Sequence, residues 1–202
     1  KAIFRDLPAK SRPGDTVVVF FSCHGGRTSD TNGDEADGFD EYLVPTDGRL
    51  GEPETMILDD TFARWMQELD GREIVIILDN CYSGGTSKGI KSLPTSGEPS
   101  GPVDFLDGEM RRLSKDLDQP NTVVLAACMA NQLAWERPST SSAPSEGSVL
   151  TYYLLESMKA HRGLTVGSAY DEIKEPIDKY VRQTFQAEQN PVFIDNGGGK
   201  IL

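Results

Sequence analysis

The apolar positions of this chain form short continuous runs, and the segments between them have helical spacing. Three runs are rich in β-branched residues: Thr16–Ser22, 74–78 and Thr122–Ala126. Continuous rather than alternating runs are typical of strands buried on both faces of a parallel sheet. Apolar residues recur at helical intervals in three further segments, which we predict to be helices: 59–69 (capped by Asp59 and Asp60), 148–160 and 165–184. With a last short strand at 189–194, this order predicts an α/β fold, a mostly parallel central sheet flanked by helices.

The composition is that of a globular chain with an acidic bias. Its 202 residues suffice for one domain with a buried core. The 20 Lys and Arg against 32 Asp and Glu give a net charge of −12, which argues against nucleic acid and favours cations, either metal ions or basic peptides. No apolar run approaches the ~20 residues that cross a bilayer, so no membrane partner is expected. Three widely spaced cysteines predict a reducing, cytoplasmic location rather than a disulfide framework.

Two of the predicted strands end in residues that suit nucleophilic catalysis. The run at 74–78 leads into Asp-Asn-Cys-Tyr-Ser-Gly-Gly, which contains Cys81, and the run at Thr16–Ser22 leads into Cys-His-Gly-Gly, which contains His24. A cysteine attacks as the thiolate and needs a nearby base, so we predict that Cys81 is a nucleophile and His24 its general base. A turn is expected directly after each strand, and the backbone N–H groups of Gly25 and Cys81 in these turns are expected to hold an oxyanion. The alternative, a small buried cysteine and an ordinary loop histidine, is disfavoured because the chain has only three Cys and two His.

The residues two positions before this pair share its faces, because side chains alternate along a strand. Asp79 therefore accompanies Cys81, and Ser22 accompanies His24. A carboxylate beside a thiol disfavours the thiolate, and its presence is explained if it receives a cation from the substrate. We predict that Asp79 and Ser22 line a pocket for Arg or Lys; the alternative, Asp79 as a helix cap or turn residue, stays open. The other Cys and His are expected in ordinary structural places: Cys23 and Cys128 in the core, His161 at the surface.

An acidic segment at 30–41 follows His24 closely. It matches a calcium-binding EF-hand loop at four positions: Asp30, Asn32, Asp34 and Glu41. Glu35 stands where that loop requires Gly, and a strand rather than a helix precedes it, so an EF-hand is disfavoured. Clustered carboxylates still suit calcium, and Asp59 and Asp60 would complete a site if the fold brings them close. A solvated acidic loop is the alternative.

In order and spacing, these motifs resemble those of the metacaspases and their bacterial relatives, the orthocaspases. The matching segments cover nearly the whole chain: 20–26, the acidic loop to Glu41, 44–45, 57–60, 79–84, 126–132, 147–152 and 189–192. The resemblance implies a caspase-like fold, which is a three-layer sandwich with a mostly parallel central sheet. It also implies a cysteine endopeptidase that cleaves after Arg or Lys.

The resemblance also implies roles for individual residues. Cys81 resembles the family's nucleophile and His24 its base, while Asp79 and Ser22 fall where its specificity-pocket residues sit. The family's calcium ligands fall on three acids of this chain: Asp40, Asp59 and Asp60. A fourth ligand of the family falls shortly after Cys81, where this sequence has no acid.

The family's domain begins with a strand and a helix that have no counterpart in this sequence, and residues 1–7 resemble the end of a later helix. We expect one caspase-like domain over 1–202 in three parts: a large-subunit-like part (1–85), a linker-like loop and helix (86–120) and a small-subunit-like part (121–202). Self-cleavage is expected in the loop, after Lys88 or Lys91. The expected partners are basic peptides or proteins and an N-terminal fragment of the protein as a separate chain; the chain is otherwise expected to be a monomer.

Two other classes of function are open. A catalytically silent caspase-like interaction module, or pseudoenzyme, would keep the fold without the chemistry, and the intact Cys81 and His24 weigh against it. The second of these classes is a calcium-responsive binding protein in which the Cys–His pair is incidental.

Overall fold

The computed structural model of the chain describes residues 2–29, 31, 33, 38–49, 51–80, 121–129, 132–138 and 147–197. Within them lie four helices: α1 (Ala2–Lys10), α2 (Asp59–Gln67), α3 (Val149–Ala160) and α4 (Val166–Phe185). The strands of the same ranges are β1 (Thr16–Ser22), β2 (Gly25–Ser29), β3 (Phe39–Leu43), β4 (Ile57–Leu58), β5 (Glu73–Asp79), β6 (Thr122–Ala126) and β7 (Val192–Asp195). A short 3-10 helix, Pro53–Thr55, precedes β4. None of the four described helices is long and apolar enough to span a membrane.

The central sheet has the strand order β1-β5-β6-β7. The first three strands are parallel, and β7 is antiparallel to β6. The predicted strands are therefore confirmed, with one shift: β7 begins at Val192 rather than at residue 189. Gln189 and Asn190 are engaged elsewhere, since the Gln189 side chain contacts two backbone groups of other segments and the Asn190 N–H donates to the Gln132 side chain at 2.7 Å.

Both faces of the sheet are covered at β5 and β6, which explains the continuous apolar runs of these two strands. Alternate residues of β5, such as Ile74 and Ile76, pack with Phe62 of α2 in one cluster, and α1 packs against the same cluster. The intervening residues, such as Val75, belong to a second cluster with Leu150 of α3 and the apolar side of α4. The predicted three-layer sandwich, helices on both faces of a mostly parallel sheet, is confirmed.

The three predicted helices are present with small differences at their ends. The N-cap position of α2 is Leu58, which offers no capping side chain, so Asp59 and Asp60 lie in the first turn rather than at the cap. Carboxylates in the first turn still interact favourably with the helix dipole. The helix α4 starts as predicted, with the Thr165 hydroxyl accepting the Ser168 N–H at 3.1 Å.

A second, three-stranded sheet was not predicted. It has the order β2-β3-β4 and is antiparallel throughout. The turn expected directly after His24 is instead β2, and the end of the predicted acidic loop is β3. These strands carry Gly-Gly-Arg-Thr-Ser and Phe-Asp-Glu-Tyr-Leu, which lack the β-branched runs of the central sheet.

Strand β1 lies at one edge of the central sheet as far as the described residues go. On the face where α3 and α4 cover β5 and β6, its side chains Val18 and Phe20 are 54% and 47% exposed. The expectation of a further strand and helix beside β1 stays a prediction. The three-part division of the domain also stays a prediction, because the linker at 86–120 lies outside the described residues.

Candidate active site

The parallel pairing of β1 with β5 brings together the ends of the two strands that precede the predicted catalytic residues. Ser22 and Asp79 are direct partners in the register, so their side chains lie on the same face at the ends of adjacent strands. In the sequence, His24 follows Ser22 by two residues, and Cys81 follows Asp79 by two residues. Cys81 itself lies outside the described residues, as do Lys88 and Lys91, and their predicted roles stay predictions.

His24 is half-buried and held by its backbone between β1 and β2. Its carbonyl oxygen accepts the Val44 N–H at 2.9 Å, which continues the β2–β3 ladder by one residue. Its Nδ1 is buried and has no hydrogen-bond partner among the described residues. A ring nitrogen that is not committed to another group is what a proton acceptor requires.

The glycines after His24 are shaped by β3. Because His24 and Val44 form a hydrogen-bonded pair, the next pair, Gly25 with Leu43, is of the non-hydrogen-bonded kind, and the Gly25 N–H points away from β3. That orientation suits an oxyanion donor. Gly26 pairs with Tyr42, whose ring fills the space that a side chain at Gly26 would occupy.

Asp79 is fully buried and is bound by two hydroxyl groups of another segment. The Ser148 hydroxyl donates to its Oδ1 and the Thr151 hydroxyl to its Oδ2. Ser148 is the N-cap residue of α3, yet its side chain makes no cap bond with its own helix. The carboxylate therefore lies at the positive end of a helix dipole as well as against two donors. A pocket acid and a structural acid both fit this arrangement.

Sequence reasoning missed the part played by Ser148 and Thr151. Their signal was present: two hydroxyl residues three positions apart at the start of an apolar helix, where a capping pair is ordinarily expected. Only the tertiary structure shows that the hydroxyls point at a strand end. Ser22, the other predicted pocket residue, is exposed at the end of β1.

A buried glutamine braces the loops around this edge of the sheet. Gln189 donates to the Ala127 carbonyl at 3.0 Å and accepts the Trp135 N–H at 2.9 Å. The Trp135 carbonyl in turn accepts the Val149 N–H at the start of α3, at 2.9 Å. The end of β6 is thereby tied to the helix end that carries Ser148.

The remaining Cys and His lie where they were expected. Cys128 is buried, with its sulfur 3.4 Å from the Gln132 carbonyl oxygen. Cys23 is half-buried and packs against the first core cluster. The His161 side chain is 54% exposed, with its Nε2 3.4 Å from Glu172.

The three predicted calcium ligands that the resemblance implies, Asp40, Asp59 and Asp60, all lie within the described residues. Asp40 and Asp59 are buried, and Asp60 is half-buried. The antiparallel pairing of Tyr42 with Leu58 joins β3 to the strand that ends at the start of α2, where Asp59 and Asp60 lie. Among the described residues, however, no three acidic, His or Cys side chains form a group that could hold a metal ion. A calcium site stays a prediction, and six residues of the acidic segment lie outside the described part: Asp30, Asn32 and 34–37.

Comparisons with known proteins place this site in a family. The model of the caspase domain, peptidase family C14, matches residues 1–197. The chain is therefore a member of the caspase-domain family, a family of cysteine peptidases.

Among similar proteins, metacaspases recur. Metacaspase-2 of Arabidopsis thaliana is 28% identical over 201 residues, which are 97% of this chain and 45% of that protein. Metacaspase-1 of Pyricularia oryzae is 41% identical over 76 residues, 37% of this chain and 18% of that protein. A crystal structure of a Geobacter sulfurreducens protein has the same fold, with a TM-score of 0.57 and 19% identity over 98% of this chain and 74% of that one. The chain thus spans less than half the length of these metacaspases.

Proposed function

We propose that this chain is a cysteine endopeptidase that cleaves after Arg or Lys by a Cys81–His24 dyad. The observation that supports it best is the register of β1 and β5. Direct pairing of Ser22 with Asp79 brings the ends of the two strands side by side, and in the sequence His24 and Cys81 each follow two residues later. Two further observations support the proposal: His24 Nδ1 has no hydrogen-bond partner within the described part of the chain, and the chain belongs to a family of cysteine peptidases.

In the proposed reaction His24 takes the proton of the Cys81 thiol, and the sulfur attacks the carbonyl carbon of the scissile bond. The electron pair of the carbonyl moves onto its oxygen, where the N–H groups of Gly25 and Cys81 stabilise the negative charge. The C–N bond then breaks, and the amine leaves with the proton from His24. Water, deprotonated by His24, hydrolyses the thioester and releases the carboxylic acid, which restores the thiol.

Selectivity for Arg or Lys is proposed to come from Asp79 with Ser22. The two side chains share one face of the sheet and lie two residues before the dyad on each strand. A carboxylate at this point attracts a cationic side chain and repels an acidic one. Peptides ending in Arg or Lys should therefore be cleaved and peptides ending in Asp should not.

Calcium stimulation and self-processing are separate parts of the proposal. Asp40, Asp59 and Asp60 would contribute hard oxygen ligands to a calcium ion whose remaining ligands come from elsewhere.

Self-cleavage after Lys88 or Lys91 is tested by mass spectrometry of wild-type protein and Cys81→Ala. Identical fragments from both proteins would exclude it.

One assay tests the main proposal. Fluorogenic peptides ending in Arg, Lys or Asp are incubated with wild type, Cys81→Ala and His24→Ala, each with calcium or a chelator. We expect Arg and Lys cleavage that both substitutions abolish, while Cys23→Ala, the matched cysteine control, keeps it. Absence of turnover by wild type under every condition would favour the silent interaction module instead, and cleavage after Asp would overturn the role of Asp79.

A further inference from the structure

The two glycines that follow His24 are an unfavourable start for a strand. Glycine loses more backbone entropy on folding than any other residue and has no side chain to pack, so it weakens the interior of a strand. Strand β2 nevertheless begins with Gly25 and Gly26, and both are buried. A backbone without side chains here must therefore be held in place by contacts from other strands.

The ring of Tyr42 supplies such a contact to Gly26. A Cβ atom at Gly26 would lie 2.6 Å from the Tyr42 Oη, 2.7 Å from its Cζ and 2.8 Å from its Cε2, so the phenol end of the ring occupies the place of the missing side chain. Gly26 and Tyr42 are also direct partners in the antiparallel register. An aromatic ring placed across the strand from a glycine compensates for the packing that the glycine lacks.

Tyr42 is itself firmly anchored. It is buried, and it lies on β3, the middle strand of the β2-β3-β4 sheet, where it pairs with Gly26 on one side and with Leu58 on the other. Strand β2 is paired on one side only within the described part of the chain. The ring of Tyr42 therefore adds a side-chain contact to the single backbone ladder that holds β2.

We propose that Tyr42 is a positioning residue that fixes the backbone around Gly25, and with it the Gly25 N–H. The carbonyl of His24 belongs to the same peptide unit as this N–H, and it accepts the Val44 N–H at 2.9 Å. Gly25 is thus held on its N-terminal side by this hydrogen bond and on its C-terminal side by the Tyr42 ring over Gly26. The catalytic consequence rests on the proposed function, in which the Gly25 N–H stabilises an oxyanion; the support of β2 does not.

Two substitutions separate the ring of Tyr42 from its hydroxyl. Tyr42→Phe keeps the ring, and Tyr42→Leu removes it. The matched control is Tyr180→Leu in α4, which removes a tyrosine ring that packs in the second core cluster, with ring centroids 6.1 Å from Tyr153 and 6.2 Å from Phe185. All variants are compared with wild type in steady-state kinetics on Arg peptides.

We expect Tyr42→Leu to lose about 10- to 100-fold in kcat with KM unchanged, because a displaced oxyanion donor weakens an interaction that is made only in the transition state. Tyr42→Phe should keep the kcat of wild type, since the ring still covers Gly26, and Tyr180→Leu should keep it too. An unchanged kcat in Tyr42→Leu would overturn the catalytic consequence. An equal loss in Tyr180→Leu would also overturn it, since lowered stability would then explain both losses.

Amide hydrogen exchange, measured by NMR, tests the support of β2 without any substrate. The register makes Gly26 and Tyr42 a hydrogen-bonded pair, so the Gly26 N–H is protected by the Tyr42 carbonyl. In Tyr42→Leu local opening should become more frequent and exchange at Gly26 about tenfold faster, whereas Tyr180→Leu should leave it unchanged. Unchanged exchange at Gly26 in Tyr42→Leu would overturn the inference even in an active peptidase. Faster exchange in a protein whose wild type cleaves no peptide would support the role of Tyr42 and contradict the peptidase proposal alone.

Discussion

Replacement of Gly26 by Ala is the most direct test of how β3 shapes the segment after His24. A Cβ atom at this position would lie 2.6 Å from the Tyr42 Oη, 2.7 Å from its Cζ and 2.8 Å from its Cε2. All three distances are below 3.0 Å, whereas ordinary van der Waals contact begins at 3.4 Å. Tyr42 is buried, so its ring has little room to turn aside.

The expected cost follows from two opposing effects. Overpacking of a buried site costs about 1–3 kcal/mol. Replacing Gly by Ala reduces the conformational entropy of the unfolded chain and returns about 0.4–1 kcal/mol. We expect Gly26→Ala to lower the free energy of unfolding by about 1–2 kcal/mol, which for a chain of this size lowers Tm by about 2–8 °C.

Urea unfolding followed by circular dichroism measures this change. The control is Gly167→Ala in α4, where the new Cβ would lie 3.3 Å from Phe193. This substitution raises helix propensity by about 1 kcal/mol, so the variant should be as stable as wild type or more stable. A second background, Tyr42→Leu, removes the ring. Gly26→Ala should cost less there than in wild type, and an equal loss in both backgrounds would refute the steric explanation.

Three further predictions concern buried polar groups. Gln189→Leu leaves the Ala127 carbonyl and the Trp135 N–H buried without their partner and should cost about 2–4 kcal/mol in urea unfolding; a loss below 1 kcal/mol would contradict the bracing role. Thr122→Val should leave the free energy of unfolding unchanged or raise it by about 1 kcal/mol, because the Thr122 hydroxyl is buried with no hydrogen-bond partner among the described residues. A clear loss of stability would show that this hydroxyl has a partner. Burial raises the pKa of Tyr153 above 10.0, with Tyr152 and Tyr180 adding to the effect. The free energy of unfolding should therefore fall as pH rises above 10, and it should fall less in Tyr153→Phe than in wild type. Equal pH profiles for the two proteins would contradict the raised pKa of Tyr153.

The central sheet could be predicted from sequence because its signal is local. Strands β1, β5 and β6 are continuous apolar runs, a pattern typical of burial on both faces. Strands β5 and β6 have that burial, whereas Val18 and Phe20 of β1 are exposed in the described residues. The parallel order then brings the ends of β1 and β5, which precede His24 and Cys81 in the sequence, to one edge. Alternation placed Ser22 and Asp79 on a common face, and the observed register agrees.

The second sheet could not be predicted from the sequence of its strands, because contacts between the strands stabilise it rather than features within each segment. Strand β2 begins with two glycines, which lower strand propensity, and β3 carries two acids. Gly26 is accommodated because the Tyr42 ring covers it from the opposite strand, and a cross-strand pairing of this kind leaves no periodic mark in either segment. The expected turn after His24 was wrong for this reason.

Asp79 shows how the structure changes the reasoning about its charge. A carboxylate two residues before a nucleophilic thiol disfavours the thiolate, and from sequence alone a cation from the substrate is the natural compensation. The structure supplies compensation before any substrate arrives, through the Ser148 and Thr151 hydroxyls and the N-terminus of α3. The mere presence of the acid therefore no longer demands a cationic substrate. Because substitution of Asp79 would also remove its bonds to Ser148 and Thr151, the choice of the wild type between Arg, Lys and Asp peptides tests the pocket role more directly than substitution does.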